Sequence, residues 1–136
     1  MNALEVIQRF IDAFNRHDAD AVNALYAEGV TYYNPRFDHP LKEKALADFN
    51  KSVLTAYPDL RFEMISSGDI GGGLGATQLM LHGAHTGPFM DGTPPTGRTV
   101  AYPGASFVQV EGDKIRSEHV YLDRQTVLEQ LGLKPK

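Results

Sequence analysis

The residues best suited to acid–base chemistry lie near the end of the chain, on a predicted strand over Lys114–Leu122. Side chains alternate across a strand, so one face would carry Ile115, Ser117, His119 and Tyr121 and lead on to Asp123. In an apolar cavity, desolvation would raise the pKa of Asp123, and its carboxyl could exchange protons with a substrate near neutral pH. The opposite face of this strand would carry Arg116, Glu118, Val120 and Leu122.

Simpler interpretations of the same residues stay open. Asp123 directly precedes a predicted helix over Arg124–Leu131, and aspartate is a favoured residue at a helix N-terminus. Spacing alone does not choose between the cap and the catalytic role. His119 and Tyr121 could also be ordinary core or interface residues.

A long loop, Thr86–Arg98, is the second candidate region. It contains three prolines and the apolar residues Phe89 and Met90, and loops of this length are often lids or binding loops. We expect His85 at the rim of a pocket or, alternatively, as a support for the loop. Phe89 and Met90 would cover the pocket or dock onto a partner subunit. His82 and His85 point to opposite faces of a strand, so no metal site is predicted.

The elements that must position these residues are helices first and strands afterwards. Apolar periodicity predicts helices over Ala3–Arg16, Ala19–Tyr26 and Leu41–Ala56, with a short strand over Val30–Tyr33. Four further strands follow at Leu60–Ser67, Leu74–Thr86, Thr99–Glu111 and Lys114–Leu122. This order predicts a single α+β domain over residues 1–136, a cone-shaped curved antiparallel sheet with three helices across its concave face. Tyr102-Pro103-Gly104 would bend the sheet and leave space for a pocket.

Composition excludes several classes of function. The formal net charge is −4, with acids and bases interspersed, so nothing indicates a nucleic-acid or anionic membrane partner. The absence of cysteine excludes disulfides, thiolate catalysis and cysteine-ligated metals. No apolar run approaches the roughly 20 residues of a membrane span, and the N-terminus is typical of neither a signal nor a transit peptide. We expect a cytoplasmic protein.

Several segments resemble the SnoaL-like polyketide cyclase and ester cyclase family. They are His85-Thr86-Gly87-Pro88-Phe89, Pro95-Thr96-Gly97-Arg98, Lys114-Ile115, Glu118-His119, Asp123, Gln130-Leu131-Gly132 and Tyr57-Pro58-Asp59-Leu60. The resemblance implies the cone-shaped fold of the nuclear transport factor 2 superfamily and a homo-oligomer. It also implies ring closure by intramolecular aldol condensation without metal or cofactor, with a pocket aspartate at the position of Asp123 as general acid/base.

The predicted site combines these residues around a small apolar or polycyclic carbonyl compound. Asp123 would remove a proton alpha to a carbonyl, and His119 or His85 would polarise the enolate oxygen. The predicted substrate-binding residues are Tyr121, Tyr102, Phe89, Met90, Phe14, Tyr33 and Asn34. A related isomerase or lyase reaction fits the same groups. Two alternatives stay open: a non-catalytic module that binds a small molecule or protein, and epoxide hydrolysis, for which only Asp123 is a strong acid or base.

The strands also predict how the protein assembles. Val108, Val110, Val120 and Leu122 are more apolar strand residues than the core face alone needs. A large exposed apolar surface is normally an interface. We therefore expect a homodimer, or a larger even-numbered oligomer, built through the convex face of the sheet.

Overall fold

Helices and strands follow the predicted order in the structure, a computed structural model that describes residues 2–134. The elements are α1 (Ala3–Asn15), α2 (Ala19–Asn23), β1 (Tyr26–Tyr33), α3 (Glu43–Ala56), β2 (Arg61–Gly71), β3 (Leu74–Ala84), β4 (Thr99–Glu111), β5 (Lys114–Leu122) and α4 (Arg124–Leu131). Within residues 2–134 no helix is long and apolar enough to cross a membrane.

The five strands form one curved sheet in the order β1-β5-β4-β3-β2. All pairs between β2 and β5 are antiparallel, which confirms the prediction for Leu60–Leu122. The edge strand β1 pairs with β5 in parallel, with Tyr33 opposite His119. Strand β1 begins at Tyr26, and α2 ends at Asn23. The predicted second helix, Ala19–Tyr26, was therefore too long.

A β-bulge in β5 decides which of its side chains point inward. Val110 pairs with Ile115 and its neighbour Gln109 pairs with Ser117. Arg116 is therefore an extra residue on β5 without a partner of its own on β4. An extra residue shifts the alternation of side chains beyond it to the other face.

Because of the bulge, the side chains of β5 do not lie on the faces predicted for them. Ile115 and Glu118, which simple alternation places on opposite faces, are both buried, with exposed fractions of 1% and 3%. His119, which follows Glu118, faces the other way. The predicted grouping of His119 with Ile115 on one face is wrong for this reason.

The helices cover the inner face of the sheet. The side chain of Asn2 accepts a hydrogen bond from the backbone N–H of Glu5 at 2.9 Å, which confirms the predicted start of α1. The apolar stripe of this helix packs on the sheet through Val6, Ile7, Ile11 and Phe14. An edge-to-face contact between Phe14 and Phe62, with ring centroids 5.2 Å apart, ties α1 to β2.

The outer face of the sheet differs from its prediction. On β4, Val108 and Val110 are buried. On β5, Val120 and Leu122 line the interior because the bulge turns the end of this strand inward. Aromatic side chains take their place outside: Tyr33, Phe107 and Tyr121 are 40%, 39% and 50% exposed.

Candidate functional site

A cavity of about 350 Å³ lies between the helices and the sheet. Apolar side chains from α1, α3 and the three central strands form most of its wall. Among the predicted substrate-binding residues, those that line it are Phe14, Asn34, Phe89, Met90 and Tyr102. These five residues surround the space between the helices and the sheet.

Glu118 supplies a carboxyl group to this apolar wall. Its side chain lines the cavity and is 3% exposed. Burial disfavours the charged form and raises the pKa of Glu118 to about 7, against the opposing effect of a hydrogen bond from Tyr26. A carboxyl with this pKa is present in both protonation states near neutral pH, as a general acid/base requires.

A chain of hydrogen bonds holds Glu118 in place. The hydroxyl of Tyr26 donates to Glu118 Oε1 at 3.0 Å. The side-chain amide of Asn50 donates to the Tyr26 oxygen at 3.2 Å and to Asn23 Oδ1 at 3.1 Å. Burial, followed by the charge of Glu118, raises the pKa of Tyr26 well above its usual value. Tyr26 therefore stays protonated and serves as a fixed donor.

A second phenol stands beside Glu118. Tyr32 pairs with Glu118 across β1 and β5 and lines the cavity. Its oxygen accepts a hydrogen bond from Asn34 Nδ2 at 3.1 Å, and its own proton goes to no other residue within 2–134. Burial, followed by the charge of Glu118, raises the pKa of Tyr32. This protonated hydroxyl can donate to an oxygen atom of a ligand.

Asp123 lies outside the cavity, where it caps α4. Its Oδ1 accepts from the Thr126 backbone N–H at 3.1 Å, and its Oδ2 accepts from the Thr126 hydroxyl at 2.7 Å. The side chain is exposed, and the bonds from Thr126 lower its pKa. The prediction of an internal Asp123 carboxyl with a raised pKa is wrong, because the side chain caps the N-terminus of α4 instead.

Asp123→Asn is therefore expected to leave turnover unchanged. Asparagine caps helices as well as aspartate does, so the melting temperature should fall by a few degrees at most, and by more in Asp123→Ala. Thermal melts and an activity assay on the three proteins would check this. A large loss of turnover in a folded Asp123→Asn protein would restore the catalytic role.

His119 and Tyr121 face the outside of the sheet. The His119 ring stacks on Tyr33, with centroids 4.2 Å apart. All three side chains line a shallow surface cleft rather than the cavity. The prediction that His119 polarises a substrate oxygen in the cavity is wrong, and Tyr33 and Tyr121 are likewise placed away from the cavity.

His85 is fully buried and supports the loop Thr86–Arg98. Its Nδ1 accepts from the Thr96 backbone N–H at 3.2 Å, and its ring stacks on Phe89 at 3.9 Å between centroids. Phe89 lines the cavity but His85 does not. Burial lowers the pKa of His85 and favours the neutral ring. The structure thus favours the supporting alternative over a rim position.

Further residues contribute to the site beyond those predicted from the sequence. Glu118, Tyr26, Tyr32 and Asn50 form a polar cluster at the cavity wall, whereas simple alternation places Glu118 on the other face. Val120 and Leu122 follow Glu118 at two-residue spacing, and their apolar character was the available signal that this face is buried. Among residues 2–134, no group of three or more histidine or acidic side chains is arranged to hold a metal ion.

Comparisons with known proteins agree with this architecture. The family model described as SnoaL-like polyketide cyclase matches residues 4–131. No curated protein sequence matches the chain.

Solved structures are similar over nearly the whole chain. AclR, a candidate hydroxylase from Streptomyces galilaeus, has a TM-score of 0.86 at 21% identity, covering 98% of this chain and 97% of its own. A candidate SnoaL-like polyketide cyclase from Jannaschia sp. CCS1 has a TM-score of 0.84 at 19% identity, with coverages of 98% and 93%. IdmH, a candidate polyketide cyclase from Streptomyces antibioticus, has a TM-score of 0.81 at 24% identity, with coverages of 98% and 100%. These similarities confirm the predicted fold.

Proposed function

The chain belongs to the SnoaL-like polyketide cyclase family, and on that premise we propose that it is a cofactor-independent acid–base enzyme acting on a small carbonyl compound. The observation that carries this proposal is Glu118, a buried carboxyl with a pKa of about 7 in the wall of an apolar cavity. Perturbed carboxyls in such cavities are typical of acid–base sites.

Glu118 would act first as a base. Its carboxylate takes a proton from the carbon alpha to a carbonyl, the C–H electron pair moves into the new enolate, and Tyr32 donates a hydrogen bond to the enolate oxygen. For ring closure, the enolate carbon attacks a second carbonyl of the same molecule. That carbonyl oxygen then takes the proton back from Glu118, which restores the carboxylate.

The names of the structural neighbours support ring closure as the form this chemistry takes. Four of the similar structures carry the description of candidate polyketide cyclases. Aldol closure and enolate-mediated isomerisation share the same first proton transfer, so the first test concerns that step alone.

The test is exchange of alpha protons for deuterium in a panel of cyclic ketones dissolved in D₂O, followed by proton NMR. The wild-type protein should accelerate exchange, and Glu118→Gln should not. A non-catalytic binding module is the second candidate, favoured by the largely apolar wall of the cavity. It predicts that ketones bind without any acceleration of exchange.

We also propose that the protein is a homodimer built through the outer sheet face. Phe107 and Tyr121 are both exposed there and touch edge-to-face at 6.3 Å between ring centroids. Clustered exposed aromatics are typical of interfaces. Analytical ultracentrifugation should report a dimer at micromolar concentration and a monomer for the Phe107→Asp, Tyr121→Asp double variant. Ile70→Asp, an equally apolar exposed position on β2, is the matched control and should remain dimeric. A monomeric wild type would contradict the proposal.

A further inference from the structure

The opening of the cavity carries two arginines that the acid–base step does not use. Arg36 follows β1, and Arg124 is the first residue of α4; both line the cavity and are exposed to solvent. Lining residues that are also exposed lie where the cavity meets solvent. The two guanidinium groups therefore belong to its opening, although they are 88 positions apart in the sequence (124 − 36).

The charge at this opening is positive. Burial lowers the pKa of Arg36, the nearby charge of Arg124 lowers it further, and Asp91 opposes both effects. Among residues 2–134, the exposed charged side chains that line the cavity are those of Arg36, Arg124, Lys134 and Asp91, in a protein with a formal net charge of −4. A local excess of positive charge on an acidic protein favours anionic ligands at this place.

Arg36 is held in position by its surroundings. Its guanidinium carbon lies 5.6 Å from the ring centroid of Phe37 and 5.8 Å from that of Phe49, distances at which a cation is attracted to an aromatic face. Its backbone N–H donates to Asn34 Oδ1 at 3.0 Å. A fixed guanidinium can bind a carboxylate through two parallel hydrogen bonds.

The arginines are exposed to solvent, whereas Glu118 is only 3% exposed. Burial raises the pKa of Tyr57 to about 12, and the charges of Arg36 and Arg124 oppose this rise. The pKa of Glu118, in contrast, is governed by burial and by the Tyr26 hydrogen bond. An anionic group bound by the exposed arginines would therefore lie on the solvent side of the cavity, whereas the Glu118 carboxyl is buried in its wall.

We infer that the ligand is amphipathic: Arg36 and Arg124 bind a carboxylate or similar oxyanion at the cavity opening, and an apolar body extends inward toward Glu118. The inference rests on the proposed function for the reaction at Glu118, but the anion contact stands without it. It narrows the substrate class from apolar carbonyl compounds in general to those that carry an acidic group, such as keto acids.

Two fluorescent probes with the same aromatic skeleton test the anion contact. Anilinonaphthalene sulfonate carries an oxyanion, and phenylnaphthylamine does not. The wild type should bind the sulfonate probe more tightly, and Arg36→Gln and Arg124→Gln should each weaken that binding about tenfold, the usual worth of a hydrogen bond to a charged group. Binding of the neutral probe should not change. Arg9→Gln, an exposed arginine on α1 outside the cavity wall, is the control for net charge.

The outcomes separate this inference from the proposed function. An Arg36→Gln, Arg124→Gln double variant that keeps the wild-type preference for the sulfonate probe would overturn the inference, and so would a wild type that binds neither probe or binds both equally. Glu118→Gln should keep the preference. If that variant keeps the preference and also exchanges alpha protons at the wild-type rate, the proposed enzyme function falls while the anion site stands.

Discussion

Replacing Glu118 with glutamine is expected to slow alpha-proton exchange by about 10²–10⁴-fold, the usual contribution of a proton-transfer group. Glutamine has nearly the same shape, and its side-chain oxygen can still accept from Tyr26, so the cavity and its ligand affinity should be preserved. It has no basic oxygen, so the first proton transfer has no acceptor. The rate should be measured by NMR at several pH values, with ligand binding measured separately.

The pH dependence and a matched variant make this result specific. Wild-type exchange should rise with pH and level off above about 7, the pKa of Glu118, because the carboxylate is the active form. Asp123→Asn, which removes a carboxyl one residue beyond the same strand, should follow the wild-type curve. Exchange in Glu118→Gln close to that of the wild type would end the catalytic claim for this residue.

Much of the fold could be predicted from the sequence because its signals are local. β4, β5 and α4 have the predicted bounds, since period-two patterning, a tight turn at Gly112 and a capping residue at Asp123 each act within a few residues. The pairing of strands in the sheet was harder to predict. The parallel contact of β1 with β5 joins residues about ninety positions apart, and no local pattern indicates it.

The site was predicted less well, and one inserted residue accounts for most of the difference. Arg116 is unpaired in the β4–β5 ladder, and this reverses the alternation between Ile115 and Glu118. Without the bulge, regular alternation would make His119 and Asp123 the inward residues. A bulge depends on how two strands fit together, so the sequence of β5 alone does not reveal it.

The remaining site residues were missed because the cavity is assembled from distant segments. Asn50 lies on α3 and reaches Glu118 only through Tyr26 on β1. No local motif marks any of these residues. Their polar groups become important for the site only because burial excludes water from them. Asn34 and Tyr102, both predicted as substrate-binding residues, line the cavity.

The same burial that prepares Glu118 for catalysis should make it destabilising at neutral pH. Below pH 4.5, its ordinary pKa, Glu118 is protonated in both the folded and unfolded chain. As the pH rises toward about 7, the unfolded chain releases this proton while the folded chain retains it. The contribution of Glu118 to the free energy of unfolding is therefore lost over this interval, by about 3 kcal/mol in total.

Glu118→Gln removes this titration, so its stability relative to the wild type is expected to increase with pH. Urea unfolding of both proteins at intervals between pH 4 and 8 would show a gain of about 3 kcal/mol for the variant across the range, with other titrating groups cancelling in the difference. Asp123 provides the opposite case. Its pKa is lowered in the folded state, so the wild type should lose stability relative to Asp123→Asn as the pH falls. A stability difference between wild type and Glu118→Gln that does not vary with pH would mean that Glu118 is solvated, and the acid–base site would lose its physical basis.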